Sequence, residues 1–87
     1  MLRIAVRYAN QALFFAPPPA EATLGAAESN DFVVPCPGIS RQHAKLTRRA
    51  GGLWISDLGS KNGLLRGDQR HAELLLLPGE TLQIGKA

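Results

Sequence analysis

The chain has 87 residues, of which 45% are apolar and 20% are charged. This composition is typical of one globular domain, because a disordered segment is poorer in apolar residues and a second core needs a longer chain. The net charge is +3, but the Lys and Arg residues are scattered and aromatic residues are few. An anionic partner is therefore favoured, and a nucleic acid is not.

Cysteine usage favours a reducing compartment. Cys36 is the single cysteine, so no internal disulfide can form, whereas small secreted domains usually depend on several. No continuous apolar segment occurs near the N-terminus, since Arg7, Tyr8, Asn10 and Gln11 interrupt it. We therefore expect a cytoplasmic protein that is neither secreted nor inserted in a membrane.

Alternating and apolar runs predict strands in the first part of the chain. Leu2–Tyr8 alternates between apolar and polar positions, which predicts a strand with one buried face. The apolar run Leu13–Ala16 is ended by the prolines at 17–19, which predict a loop or stiff linker and only weakly suggest an SH3 ligand. Phe32–Val34 predicts another strand, closed by the turn-forming residues 35–38.

The same rhythm continues to the C-terminus. His43–Arg48 alternates, with Ala44 and Leu46 on one face, and a glycine turn at 51–52 joins it to the β-forming run Leu53–Ile55. Later runs lie at residues 64–65, 69–77 and 81–84, with turns at 66–68 and 78–80. Because the runs are closely spaced and no helical period occurs, we predict an all-β fold, either a sandwich or a barrel.

Two loop segments carry most of the polar side chains of interest. Gly38–Ala44 contains Ser-x-x-His, and Asp57–Gly63 contains Ser-x-Asn-Gly. In sequence and order they resemble the two signature segments of the forkhead-associated (FHA) family. Weaker matches accompany them at Leu24-Gly25 with Asn30-Asp31, at Leu77–Glu80 and at Leu82–Gly85, so that the resemblance covers residues 24–85.

The resemblance implies a domain organisation. It implies a single FHA domain over residues 1–87 with an all-β fold, a two-sheet antiparallel β-sandwich of the SMAD/FHA type. The family carries a further strand after the segment equivalent to Leu82–Gly85, so we expect an N-terminal fragment of a longer protein that lacks this last strand. Similar FHA domains precede bacterial transcription activators, transporters and secretion components, which makes a bacterial regulator the expected context.

The resemblance also implies a binding site for phosphothreonine. A phosphothreonine carries about −1.5 to −2 charges and three strong acceptor oxygens, so it requires hydroxyl, N–H and cationic donors. The expected phosphopeptide-binding residues are Ser40, Arg41, Ser60, Lys61 and Asn62, of which Asn62 pairs with the ligand's main chain. The binding loops are expected to be supported by Gly25, His43, Asp57 and Gly63.

The expected partner is a phosphothreonine-containing protein or peptide, the substrate of a Ser/Thr kinase, in another chain or in the same one. One position departs from the family: the glycine equivalent to Gly25 is usually followed by an arginine that reaches the phosphate, but here the residue is Ala26. This leaves open a phosphate-independent protein–protein interaction or self-association. Without the resemblance, Ser40 and Asn62 would be interpreted as residues that only cap turns.

Catalysis is not expected. Ser40, His43 and Asp57 have the residue types of a hydrolase triad, but residues 38–42 depart from the G-x-S-x-G elbow at the last position. Residues 79–86 resemble a phosphate-binding loop, but their glycine spacing is wrong. We therefore predict a binding module with no enzyme activity and no cofactor.

A metal site is not expected either. Cys36, His43 and His71 are too few and too irregularly spaced for structural zinc. Arg66-Gly67-Asp68 spells an integrin-binding tripeptide, but between two β-forming runs it predicts a hairpin turn.

Overall fold

The computed structural model describes residues 4–8, 11–16, 18–50, 52–76 and 82–84. Within these ranges the chain forms strands and turns and no helix, which confirms the all-β prediction. None of the described residues belongs to a helix that could cross a membrane. The strands are β1 (Ile4–Tyr8), β2 (Gln11–Phe15), β3 (Glu21–Gly25), β4 (Phe32–Val33), β5 (Ala44–Arg49), β6 (Gly52–Asp57), β7 (Leu64–Arg66), β8 (Gln69–His71), β9 (Glu73–Leu76) and β10 (Gln83–Ile84).

The strands form one large sheet and two smaller ones. The five-stranded sheet has the order β4-β3-β5-β6-β9, the three-stranded sheet has the order β10-β7-β8, and β1 pairs with β2. All pairs are antiparallel except β3 with β4, which is parallel. Residues 26–31 form a loop after which β4 runs beside β3 in the same direction, and Val34 N–H donates to the Gly25 carbonyl at 2.9 Å.

The core lies between these sheets and follows from strand alternation. From the five-stranded sheet, alternate residues of β3, β5, β6 and β9 point inward, and the three-stranded sheet adds residues of β7 and β10. These inward residues are Ala22, Leu24, Ala44, Leu46, Ile55, Leu74, Leu64 and Ile84. The β1–β2 hairpin joins the core through Val6, and Phe15 stacks on Phe32 with ring centroids 4.5 Å apart. Ala44 and Leu46, which the sequence pattern placed on one face of β5, both point into this core.

Two features of the strand pattern were not predicted. β3 was not expected as a strand, because Glu21–Gly25 contains small residues of low β-propensity. The run 69–77 was expected to be continuous, but it divides at Ala72 into β8 and β9, which belong to different sheets. The Ala72 carbonyl accepts the Asp57 N–H at 2.8 Å, so the division is stabilised by a contact distant in sequence.

Several predicted features lie partly outside the described residues. They are the turn at 78–80, the late segment ending at Gly85 and the first residues of the N-terminal run. Pro17 and Gly51 are also outside, although the rest of the proline run and the start of β6 at Gly52 are described.

Candidate functional site

The two polar loop segments meet at one end of the molecule. Between them lies an open depression of about 460 Å³, lined by Gly38, Ile39, Ser40, Lys61 and Asn62. The loops also contact each other directly: Lys61 N–H donates to Ser40 Oγ at 3.0 Å, and Asn62 Nδ2 donates to the Gly38 carbonyl at 2.8 Å. Ser40 therefore forms one surface with Lys61 and Asn62, which lie 21 and 22 positions later in the chain.

His43 lies behind this depression and is fully buried. Its Nδ1 accepts the Ser40 backbone N–H at 3.1 Å, so its Nε2 carries the proton and donates to the Gly63 carbonyl at 2.8 Å. Its own backbone bonds the Leu24 carbonyl at 2.9 Å and the Leu58 N–H at 3.0 Å. His43 is thus a neutral imidazole that links the two loops and does not reach the depression.

Asp57 and Ser60 build the turn that presents Lys61 and Asn62. The Ser60 hydroxyl donates to the Asp57 carboxylate and accepts the Gly63 N–H at 2.8 Å, and the Ser60 N–H donates to Asp57 Oδ1 at 3.3 Å. Ser60 is buried and is absent from the lining of the depression. The geometry therefore gives Ser60 a supporting place inside the turn, different from the ligand contact expected from the sequence.

Two glycines satisfy specific steric demands of the loops. Gly63 has a φ of +77°, a conformation that side chains disfavour. A Cβ on Gly25 would lie 2.2 Å from the Arg41 carbonyl oxygen and 2.9 Å from Asn30 Nδ2. Only glycine at position 25 lets the β3 end approach the Arg41 backbone this closely.

A third segment, after β3, borders the same loops. Ala26 N–H donates to the Ser40 carbonyl at 3.0 Å, and Ala27 N–H donates to the Arg41 carbonyl at 3.1 Å. The buried Asn30 side chain also donates to the Arg41 carbonyl, at 2.6 Å. Position 26 is therefore adjacent to Ser40, and Asn30 is a support of the site that the sequence pattern alone did not assign.

Three cations lie on the two loops or contact them. Arg41 and Lys61 are exposed, and Arg70 on β8 donates to the Ser60 carbonyl at 2.9 Å. None of the three has a carboxylate within ion-pair distance among the residues the structure describes. The sequence pattern does not indicate Arg70, because a polar residue on a short hairpin strand carries no signal of the loop it contacts.

The geometry does not assemble a hydrolase triad. Both ring nitrogens of His43 are bonded to backbone groups, at Ser40 and Gly63, so neither accepts the Ser40 hydroxyl proton. The Asp57 carboxylate bonds Ser60 and not His43. In the described ranges there is also no group of three His, Cys, Asp or Glu side chains placed to hold a metal ion.

Comparison with known proteins identifies the family. The family model described as FHA domain matches residues 22–85, which is most of the chain. Among curated proteins, the ABC transporter ATP-binding/permease protein Rv1747 of Mycobacterium tuberculosis is 38% identical over 68 residues, covering 78% of this chain. The chain spans only 8% of that relative's length.

Solved structures agree with the sequence match. The crystal structure of the Mycobacterium tuberculosis Rv1747 FHA-1 is 28% identical, covers 97% of this chain and 85% of its own, and has a TM-score of 0.73. Mycobacterium tuberculosis EmbR, solved in complex with a low affinity phosphopeptide, is 29% identical, with a TM-score of 0.66 over 75% of this chain and 17% of its own. With its two loop signatures joined at one end of a β-sandwich and the family model matching from β3 onward, this chain belongs to the FHA domain family.

Proposed function

We propose that this FHA domain binds a phosphothreonine-containing segment of a protein partner, with the phosphate in the depression between the Ser40 and Lys61 loops. The observation that carries this proposal is the contact of the two loops, which brings a hydroxyl, a carboxamide and an ammonium group to one open surface. FHA domains are interaction modules, so the domain acts by binding and not by catalysis.

The donors at the depression suit a phosphate. Ser40 Oγ already accepts the Lys61 N–H, so the hydroxyl proton remains available to donate to a phosphate oxygen. The exposed side chains of Lys61 and Arg41 supply positive charge beside it, and charge-assisted hydrogen bonds of this type are about twice as strong as neutral ones. A dianionic side chain would therefore meet an O–H donor and two cations that have no carboxylate partner among the described residues.

Asn62 suits the main chain of the ligand. One of its amide hydrogens is bonded to the Gly38 carbonyl, which holds the side chain in one orientation. Its carbonyl oxygen and second hydrogen remain for an extended peptide, one as acceptor and one as donor. Asn62 would thus set the register of a peptide whose phosphothreonine lies at Ser40.

A different function is favoured by Ala26. This residue is next to Ser40 in space and packs against the core. The arginine that usually contacts the phosphate from this position in the family is therefore absent. A phosphate-independent docking or self-association domain is the function that this feature supports. Light scattering, and pull-down from lysate treated with phosphatase, distinguish it from the phosphothreonine reader, which should be monomeric and should lose its partner after dephosphorylation.

The decisive experiment is calorimetric titration with a degenerate phosphothreonine peptide library and its unphosphorylated counterpart. We expect binding to the phosphorylated library alone. Ser40→Ala and Asn62→Ala should each reduce affinity at least tenfold, while Ser56→Ala, on the sheet away from the depression, should leave it unchanged. Equal binding of both libraries would reject the phosphothreonine proposal, and unchanged affinity in both site variants would show that the site lies elsewhere.

The natural ligand would come from the substrate of a Ser/Thr kinase in the cytoplasm, either on a separate protein or on another segment of the same one. In such an arrangement the domain brings its own polypeptide to a phosphorylated partner or closes it on itself after phosphorylation.

A further inference from the structure

The peptide group between Ser60 and Lys61 is held from two sides. Its N–H donates to Ser40 Oγ at 3.0 Å, and its carbonyl accepts a hydrogen bond from Arg70 Nη2 at 2.9 Å. Because a trans peptide is planar, its oxygen and its hydrogen point in opposite directions. Arg70 therefore contacts the peptide group on the side away from Ser40 and the depression.

Arg70 reaches this peptide across Gly63. A Cβ on Gly63 would lie 2.4 Å from Arg70 Nε and 2.9 Å from Arg70 Cζ, so the missing side chain leaves the space that the guanidinium occupies. Arg70 belongs to β8 in the three-stranded sheet, whereas Asp57, which bonds the start of the same turn, ends β6 in the five-stranded sheet. The turn is thus bonded from both sheets.

These contacts form a short relay. A cationic donor on a carbonyl polarises the peptide group and strengthens its N–H as a donor. The N–H in question is that of Lys61, which occupies a lone pair of the Ser40 hydroxyl oxygen and leaves the hydroxyl proton to donate elsewhere.

We propose that Arg70 is a positioning residue for ligand binding: it fixes the orientation of the Ser60–Lys61 peptide group, and thereby the Ser40 hydroxyl, before the ligand arrives. This inference rests on the proposed function, since it names a residue that prepares the same site without contacting the ligand. Without Arg70, only the Ser40 contact holds this peptide group, so it can rotate more freely and the direction of its N–H is less fixed. Binding would then have to restore the bound orientation, which lowers affinity.

The test compares Arg70→Met with Arg70→Lys, using one phosphothreonine peptide taken from the library and, in the protein without ligand, the amide resonance of Lys61. Methionine fills similar space but has no donor, so we expect roughly tenfold weaker binding, an upfield shift of the Lys61 amide proton and faster exchange of that proton with solvent. Lysine retains a cationic donor, so both effects should be smaller, with affinity within about threefold of the parent.

Arg48→Met is the matched control. Arg48 also donates to a backbone carbonyl, that of Pro18 at 3.0 Å, and its removal costs the same charge at a place outside the depression. This variant should leave both the affinity and the Lys61 amide unchanged. Urea unfolding of each variant separates a local change from a general loss of stability.

Affinity and the Lys61 amide must change together across the folded Arg70 variants. Weaker binding with an unchanged amide would mean that Arg70 contacts the ligand directly, and an altered amide with full affinity would mean that its orientation is irrelevant to binding; either result overturns the proposal. If the parent domain binds no phosphopeptide, the proposed function fails, while an unaltered Lys61 amide in Arg70→Met would separately refute the relay.

Discussion

Two surfaces of this domain use charged residues in opposite ways. The outward face of the five-stranded sheet, formed by alternate residues of β3, β5, β6 and β9, pairs its charges internally. Lys45 bonds Glu21 at 3.0 Å, and Arg49 bonds Glu73 at 3.1 Å while its guanidinium lies 5.4 Å from the centre of the Trp54 ring. We term this face the outer sheet face.

The cations on or next to the two loops have no such partners among the described residues. Arg41 and Lys61 are exposed, and Arg70 bonds a backbone carbonyl. Asp57, the acid at the start of the Lys61 loop, uses its carboxylate to bond Ser60 inside the turn. Cations without a carboxylate partner can bind an external anion, because Asp57 is engaged inside the turn. The outer sheet face differs, since its cations are already paired with Glu21 and Glu73.

Removing the imidazole of His43 should have the largest effect. His43→Ala leaves the Ser40 N–H and the Gly63 carbonyl without their partner and opens a cavity in the core, so we expect stability to fall by roughly 4 kcal/mol. Urea unfolding measures the loss, and His71→Ala, at a half-buried position on β8, is the control with an expected loss below about 1 kcal/mol. Similar losses in the two variants would contradict the linking role of His43.

A methyl group at Gly25 should be nearly as damaging. Gly25→Ala places a Cβ against the Arg41 carbonyl, and because both groups are backbone, the loops must separate at a cost of roughly 3 kcal/mol. Gly59→Ala is a useful comparison, since Gly59 has a φ of +76° but a Cβ added there would meet no non-neighbouring atom within 4 Å, so only conformational strain of about 1 kcal/mol should appear. If Gly25→Ala is the milder variant in thermal unfolding, the close approach does not limit the fold.

Adding a cation at position 26 should sharpen the contrast between the two surfaces. Ala26→Arg brings a guanidinium beside Ser40, and one further charge-assisted hydrogen bond should tighten phosphopeptide binding by about tenfold to a hundredfold. Calorimetry with the phosphorylated and unphosphorylated peptides measures the gain. Thr47→Arg, on β5 and on the outer sheet face, controls for net charge; an equal gain there would mean that general attraction, and not position, causes the effect.

The smallest expected effect belongs to the outer sheet face and depends on pH. Hydrogen bonds from Arg49 and then Ser56, with the charge of Arg49, lower the pKa of Glu73 below its usual 4.5 against a small opposing effect of desolvation. The ionised form is thus favoured by folding, so its contribution is present above pH 4.5 and is lost as pH falls through the lowered pKa. Urea midpoints of the parent and Glu73→Gln should differ slightly at neutral pH and converge on the acid side; a difference that grows in acid would contradict this assignment.

Strand prediction succeeded where alternation was strong. β5 and β6 have inward residues such as Leu46 and Ile55 at every second position, and β7 to β8 turns at a glycine. It failed at β3, where Ala22 and Gly25 have little propensity for strands and are held by pairing with β5. It also failed at Ala72, because a change of sheet leaves no local signature.

The candidate site could likewise be predicted only in part from the sequence. The order of its short motifs was enough to indicate the family. It was also enough to select Ser40, Lys61 and Asn62, because each belongs to a motif with fixed spacing inside a single loop. Their convergence, the buried position of Ser60, the tautomer of His43 and the part taken by Arg70 depend on contacts between separate strands. Spacing along one chain records local geometry, but a hydrogen bond between β8 and a distant turn exists only once the two sheets have packed, so only the tertiary structure could decide it.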